Sequence, residues 1–296
     1  MLRSSNPVLS RQDAFQPGNQ YAGGYPQYPG QGQGQGYDPR FGGQYPQDPR
    51  QGQFPGQGMP PQQQGGRGQG VMTFDDVVTK TGITLGVVVL VAAAAFFLLP
   101  LQLLMPASIV AALATIGITF LVAFRRTVSP ALVMVFAVVE GVFVGGISKI
   151  FEFYYPGIVV QAVFATFVAA GLTLAAYKFF NIRVTPKFTK IIVIATIAFA
   201  VVTLLNFVLA LVGVNGGTGL GLRAGVTGEV SLLAIGVSAI AVVLAVLNLV
   251  LDFDYIEKGV KMGAPANQSW KAAFGLTVTL VWLYVEMLRI ISYFRR

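Results

Sequence analysis

Seven long apolar runs, joined by short polar connections, fill this chain from about residue 81 to its end, with approximate limits of 81–104, 107–124, 130–150, 157–179, 188–213, 230–256 and 271–293. A helix rises about 1.5 Å per residue, so about 20 residues cross ~30 Å of hydrocarbon. Each run is near or above that length. Inside lipid the backbone must satisfy its own polar groups, which leaves helices or closed barrels. The runs lack the period-two alternation of barrel strands. The expected fold is therefore an all-α integral membrane protein, a seven-transmembrane-helix bundle. The rival arrangement keeps six full spans and makes the last segment re-entrant, because polar residues interrupt it. Composition agrees with immersion in lipid: 54% of residues are hydrophobic and 11% charged, against about 25% charged in a soluble domain.

The boundaries carry local signals. Ser129-Pro130 and Thr185-Pro186 place a capping hydroxyl before a proline at the first helical position. Pro156-Gly157 punctuates the start of the fourth span, and Pro100 and Pro106 bracket the turn between the first two. Trp270 and Tyr293 mark the two ends of the last span, where amphipathic rings favour the interface.

Ahead of the spans, residues 1–75 read as a disordered Gly/Pro/Gln-rich tail, and residues 76–296 as the seven-helix domain. The tail includes GQGQGQG at Gly30–Gly36. Such a composition buries too little apolar surface to offset chain entropy. A solvated tail is favoured over a condensing, prion-like segment. No signal peptide is expected, because the first apolar run begins only after the long polar tail.

Basic residues set the orientation. Arg67 and Lys80 precede span one, Arg125 and Arg126 follow span two, and Lys178, Arg183, Lys187 and Lys190 lie between spans four and five. Lys258, Lys261 and Lys271 lie between six and seven. The opposite connections hold Lys149 and Arg223, and Arg295 and Arg296 end the chain. The excess puts the N-terminus in the cytoplasm and, after seven spans, the C-terminus outside a cell membrane. The same distribution explains the net charge of +8 without nucleic acid.

The chain has neither cysteine nor histidine. Thiolate metal sites, Ser-His hydrolysis and HExxH zinc sites are excluded, and no enzyme is expected. Any response to physiological pH must use carboxylates, not imidazole. An ionisable group within a span is a candidate site by default. Glu140, Asp252, Asp254, Glu257 and Glu286 remain once the acids of the tail and loops (Glu152 and Glu229 among them) are set aside. Glu286, in LVWLYVEMLRII, stands out, although Arg289 three residues on could simply pair with it. For Asp254 and Glu257 a solvated helix end is favoured. Asp252 is more deeply placed. Glu140 precedes Gly141, which forms with Gly145 a small-xxx-small step that lets helices approach closely.

The pairing of LDFDYI in span six with LYVEMLR in span seven, the FRR segment after span two and the Glu140-Gly141 step resemble the Bax inhibitor-1 family of transmembrane proteins. Its bacterial branch with a Gly/Gln/Pro-rich N-terminal tail is the nearest in kind. The resemblance runs over residues 72–296 and rests on the order of these motifs. It implies a central last helix wrapped by the other six and a pH-sensitive calcium leak. In that picture Asp252 and Glu286 share a proton, gate the pore and stand on the calcium path, with Asp254 and Glu140 as lesser candidates. Arg125, or Arg126 in its place, locks the pair. Two departures bear on this. Glu286 is longer than the aspartate of the channel-like relatives, and 34 residues separate it from Asp252, a span that only a long loop brings level.

The expected function is thus a pH-sensitive calcium leak channel with no cofactor, calcium being the transported ion and the lipid bilayer the surroundings. The alternative is an interaction protein that regulates other membrane proteins, such as a membrane-bound protease, with the tail recruiting them.

Overall fold

The computed structural model describes residues 70–125, 127–180, 182–217, 220–223 and 230–295. The tail up to residue 69, Arg126, Glu229 and Arg296 lie outside the described residues. Seven helices follow one another: α1 (Phe74–Leu98), α2 (Leu101–Ala123), α3 (Pro130–Tyr154), α4 (Ile158–Phe179), α5 (Pro186–Leu211), α6 (Leu232–Lys261) and α7 (Gln268–Phe294). All seven are long and apolar enough to cross a membrane. The last is one continuous helix, so the re-entrant alternative falls away.

Local chemistry sets the starts. Ser129 and Thr185 accept from the backbone N–H of Leu132 and Phe188, each with proline at the first helical position. Ser231 caps α6 through Ala234 N–H. Thr73 caps α1 through Asp76 N–H, so α1 begins seven residues before the start expected from the apolar run at 81. Its first turn tolerates Asp75 and Asp76 because acids complement the helix dipole there. The turn between α1 and α2 is also earlier than expected. Pro100 alone makes it, while Pro106 lies inside α2. At its basic end α6 runs five residues beyond the expected limit, to Lys261, where Lys258 and Lys261 pair with Asp254 and Glu257 one turn back.

Burial follows contact. Phe97, Phe167, Leu172 and Ile194 are among the many large apolar side chains that face outward, as lipid requires. α7 is the central helix: α1, α3, α4 and α6 pack their backbones against it. α2 and α5 reach it through side chains, Val122 in a cluster with Phe274 and Phe199 beside Trp282 with ring centroids 6.0 Å apart. Among the described residues, the backbone of α5 packs only on α6 and on its own C-terminal turn.

The closest helix packing is α3 on α1. A methyl group at Gly141 would stand 2.8 Å from the Val88 carbonyl oxygen, and one at Gly145 would overlap that of Ala92. The small-xxx-small step read from the sequence is thus an α1–α3 contact. At the basic end, the segment before α1 is stapled to the α6–α7 connection. Met72 N–H donates to Ala264 O and Ala266 N–H to Gly70 O, both at 2.7 Å.

Candidate functional site

α6 and α7 run antiparallel, joined by the short connection 262–267. Two side-chain contacts fix their register. Ser238 donates to the Tyr293 hydroxyl (3.4 Å), and near the other end Thr279 donates to Asp252 Oδ2 (2.6 Å). The same register sets Ala245, not Asp252, opposite Glu286. Thr279 and Glu286 are seven residues apart, roughly 10 Å along the helix axis. The structure therefore does not bring Asp252 and Glu286 together, and the shared proton expected between them is corrected. The physical reason is the connection: six residues cannot absorb the spacing that separates the two acids.

Each carboxylate has its own surroundings. Asp252 forms part of the wall of a cleft of about 890 Å³ at the basic end, with Asn248, Thr189, Asp254, Lys258 and Lys271. Gly275 leaves room for it on α7, since a methyl there would lie 3.3 Å from Asp252 Oδ1. One turn deeper, Asn248 donates to Thr196 of α5 and to the Leu244 carbonyl. Asp254 pairs with Lys258 at 2.6 Å, and Glu257 accepts from Tyr177 and Lys261. Both stand at the helix end, as favoured from the sequence, but in ion pairs rather than free in solvent, the Asp254 side chain being 15% exposed.

Glu286 is 1% exposed. Its Oε1 meets Arg223 Nη1 at 2.7 Å. Arg289, the expected partner, is farther, with Nε 3.9 Å from Oε2, and neither of those two atoms has a hydrogen-bond partner among the described residues. Arg223 belongs to the segment between α5 and α6. It lies over the Phe199 ring at 5.4 Å, a favourable cation–π placement. Burial, and next the Arg289 charge, lower the pKa of Arg223, while Glu286 raises it. A guanidinium keeps its proton regardless.

Sequence reasoning used Arg223 only as a topology marker. The signal that could have found it was its isolation: it and Lys149, in the last turns of α3, are cations at an end of the bundle whose connections otherwise avoid them. Both turn inward, Lys149 to the Leu99 carbonyl at 2.8 Å. Arg125, expected to lock the acid pair, is exposed, and its carbonyl accepts from Lys271 Nζ at 3.3 Å. It stands apart from Glu286, whose arginine, Arg223, comes from the other end of the bundle. Arg126 lies outside the described residues. Glu140 is buried between α3 and α2 beside the Thr115 hydroxyl, away from both acids of α6 and α7. Among the described residues no three acids or other ligand side chains converge into a metal cage.

Six apolar helices around a polar-studded seventh define a multi-pass membrane protein. A family model described as Bax inhibitor 1 like matches residues 6–296, and the chain belongs to that family. Among curated proteins, none matches it.

Proposed function

We propose that this protein is a pH-sensitive leak pathway for cations, calcium first among them, running beside α7 in a cell membrane. The observation that carries the reading is the pair of carboxylates set at two depths along the central helix. Asp252 stands in a cleft at the basic end, and Glu286 is sealed beneath Arg223 toward the opposite end. Calcium favours hard oxygen ligands. The Asp252 carboxylate, steadied by the Thr279 hydroxyl, offers a sparse set of oxygens suited to passage rather than retention. With no histidine in the chain, carboxylate protonation is the means by which acidity acts on the pathway. The two acids act in series, one attracting the cation and the other holding the far end shut.

Calcium uptake into liposomes, followed across pH, tests this. Asp252→Asn removes the charge that attracts the ion and should lower uptake, and Glu286→Gln should flatten its pH dependence. Uptake no greater than in empty liposomes, or identical pH profiles in both variants and the parent, would end the reading.

A second reading has one observation behind it. Most of the surface of α5 faces outward because, among the described helices, its backbone leans on α6 alone. A helix so placed suits an interaction protein that docks another membrane protein, such as a membrane-bound protease. Pull-downs that lose a membrane partner when polar residues are placed on the outer face of α5, with no flux from the purified protein, would favour it.

A further inference from the structure

We propose that Arg223 is a proton-released latch: its ion pair with Glu286 holds the segment Leu220–Arg223 against the central helix, and protonation of Glu286 lets it go. The proposal deepens the leak reading and rests on it for its consequence, since the latch would close the end of the pathway opposite the Asp252 cleft.

Three observations carry it. The first is reach. Arg223 comes from outside the helices, yet 84% of its side chain is covered, as follows from its 16% exposure, and it ends 2.7 Å from a carboxylate that is 1% exposed. The second is the arrangement of charge. Glu286 lies between two guanidinium groups, Arg223 and Arg289, whose mutual repulsion acts on Arg223. While Glu286 is charged, its 2.7 Å contact and hydrogen bond with Arg223 oppose that repulsion. Once it takes up a proton, two like charges remain in a place shielded from water, and Arg223, which lies outside the helices, is the one released. Arg289 is fixed on α7. The third is mechanical linkage. Leu220 N–H donates to Asn206 Oδ1 of α5 at 2.8 Å, and the Arg223 charge lies over Phe199 of α5, whose ring lies beside Trp282 of α7. The latch thus joins α5, which has little other purchase on the bundle, to the central helix.

Among the described residues, the charged and titratable groups around Glu286 are Arg223, Arg289 and, beside Arg223, Tyr293. α6 contributes Ala245 by register and Ser238 against Tyr293, and α5 contributes Phe199. Glu152 acts instead on Tyr284, which points to another face of α7 and bonds Ser148 of α3.

The chain's lack of cysteine allows a clean test. Leu222→Cys is introduced in the full-length protein, reconstituted in liposomes, and its rate of labelling by a membrane-impermeant maleimide is followed across pH. The same is done with Glu286→Gln added. The ratio of the two rates cancels the thiol's own titration. The latch requires labelling at least about tenfold faster in the Glu286→Gln background at neutral pH, because a buried pair deprived of one partner opens readily. The ratio should fall toward one in acid, where the parent opens too. A ratio near one at every pH overturns the latch, whether or not the protein conducts. Calcium flux is measured on the same liposomes. Arg223→Gln should conduct more than the parent at neutral pH, and Arg223→Lys, which keeps the charge but not the planar fork, should fall between. A pH-dependent labelling ratio with no flux in any variant would leave the latch standing and remove the leak reading alone.

Discussion

Glu286 and Asp252 are both carboxylates in apolar helices, yet they are stabilised by different means. Glu286 is neutralised by a guanidinium from a connecting segment, whereas Asp252 is held by a hydroxyl and a cleft. Glu286→Gln should therefore destabilise the protein by about 3–5 kcal/mol, the cost of stranding a buried charge, seen as a lower melting temperature in detergent. Arg289→Gln should cost far less, since its Nε stands 3.9 Å from the carboxylate. Equal melting shifts in the two would mean that the close contact with Arg223 does not dominate. Thr279→Val should cost about 1.5–3 kcal/mol, the range for a hydrogen bond to a charged group, and should leave the Arg223 latch untouched. Residue types revealed where chemistry could lie, because a carboxylate in an apolar run has few bland explanations. They did not reveal partners: Arg289 was nearest in sequence and Arg223 nearest in space.

At the level of helices, the sequence was most legible where one residue type does one local job. Ser129, Thr185 and the prolines after them mark helix starts, and the structure places them as caps. Pro106 was misread as a turn residue because a proline one and a half turns into a helix looks the same in sequence as one in a loop. The α1–α3 contact was half legible. Gly141 and Gly145 announced a close approach, while the partner helix was set by the fold. Gly145→Ala should cost about 1–3 kcal/mol, as overpacking does, because the added methyl would meet the Ala92 carbonyl. Gly86→Ala, which meets open space on α1, should be neutral or stabilising by up to about 1 kcal/mol. Thermal unfolding of the two variants side by side checks the contrast; similar losses in both would show that helix propensity, not packing, governs these positions.

For the molecule as a whole, the expected polarity of the bundle makes a further claim. If the basic end faces the cytoplasm, a C-terminal alkaline phosphatase fusion should be active and a C-terminal green fluorescent fusion dark in bacterial cells, and the reverse pattern would invert the orientation. Removing residues 1–69 should leave liposome flux intact, because the cleft and the latch are built from residues beyond them; loss of flux would assign the tail a part in conduction. By itself the sequence determined the solvent, the number of spans, most helix starts and the acids worth following. These depend on hydrophobic run length and on chemistry within a few residues, which a linear text records. Only the tertiary structure decided that the two acids stand roughly 10 Å apart in depth, and that a lone arginine between α5 and α6 completes the buried charge. Depth depends on how a short connection sets the register of two antiparallel helices, and ion pairing on which distant segments that packing brings within reach.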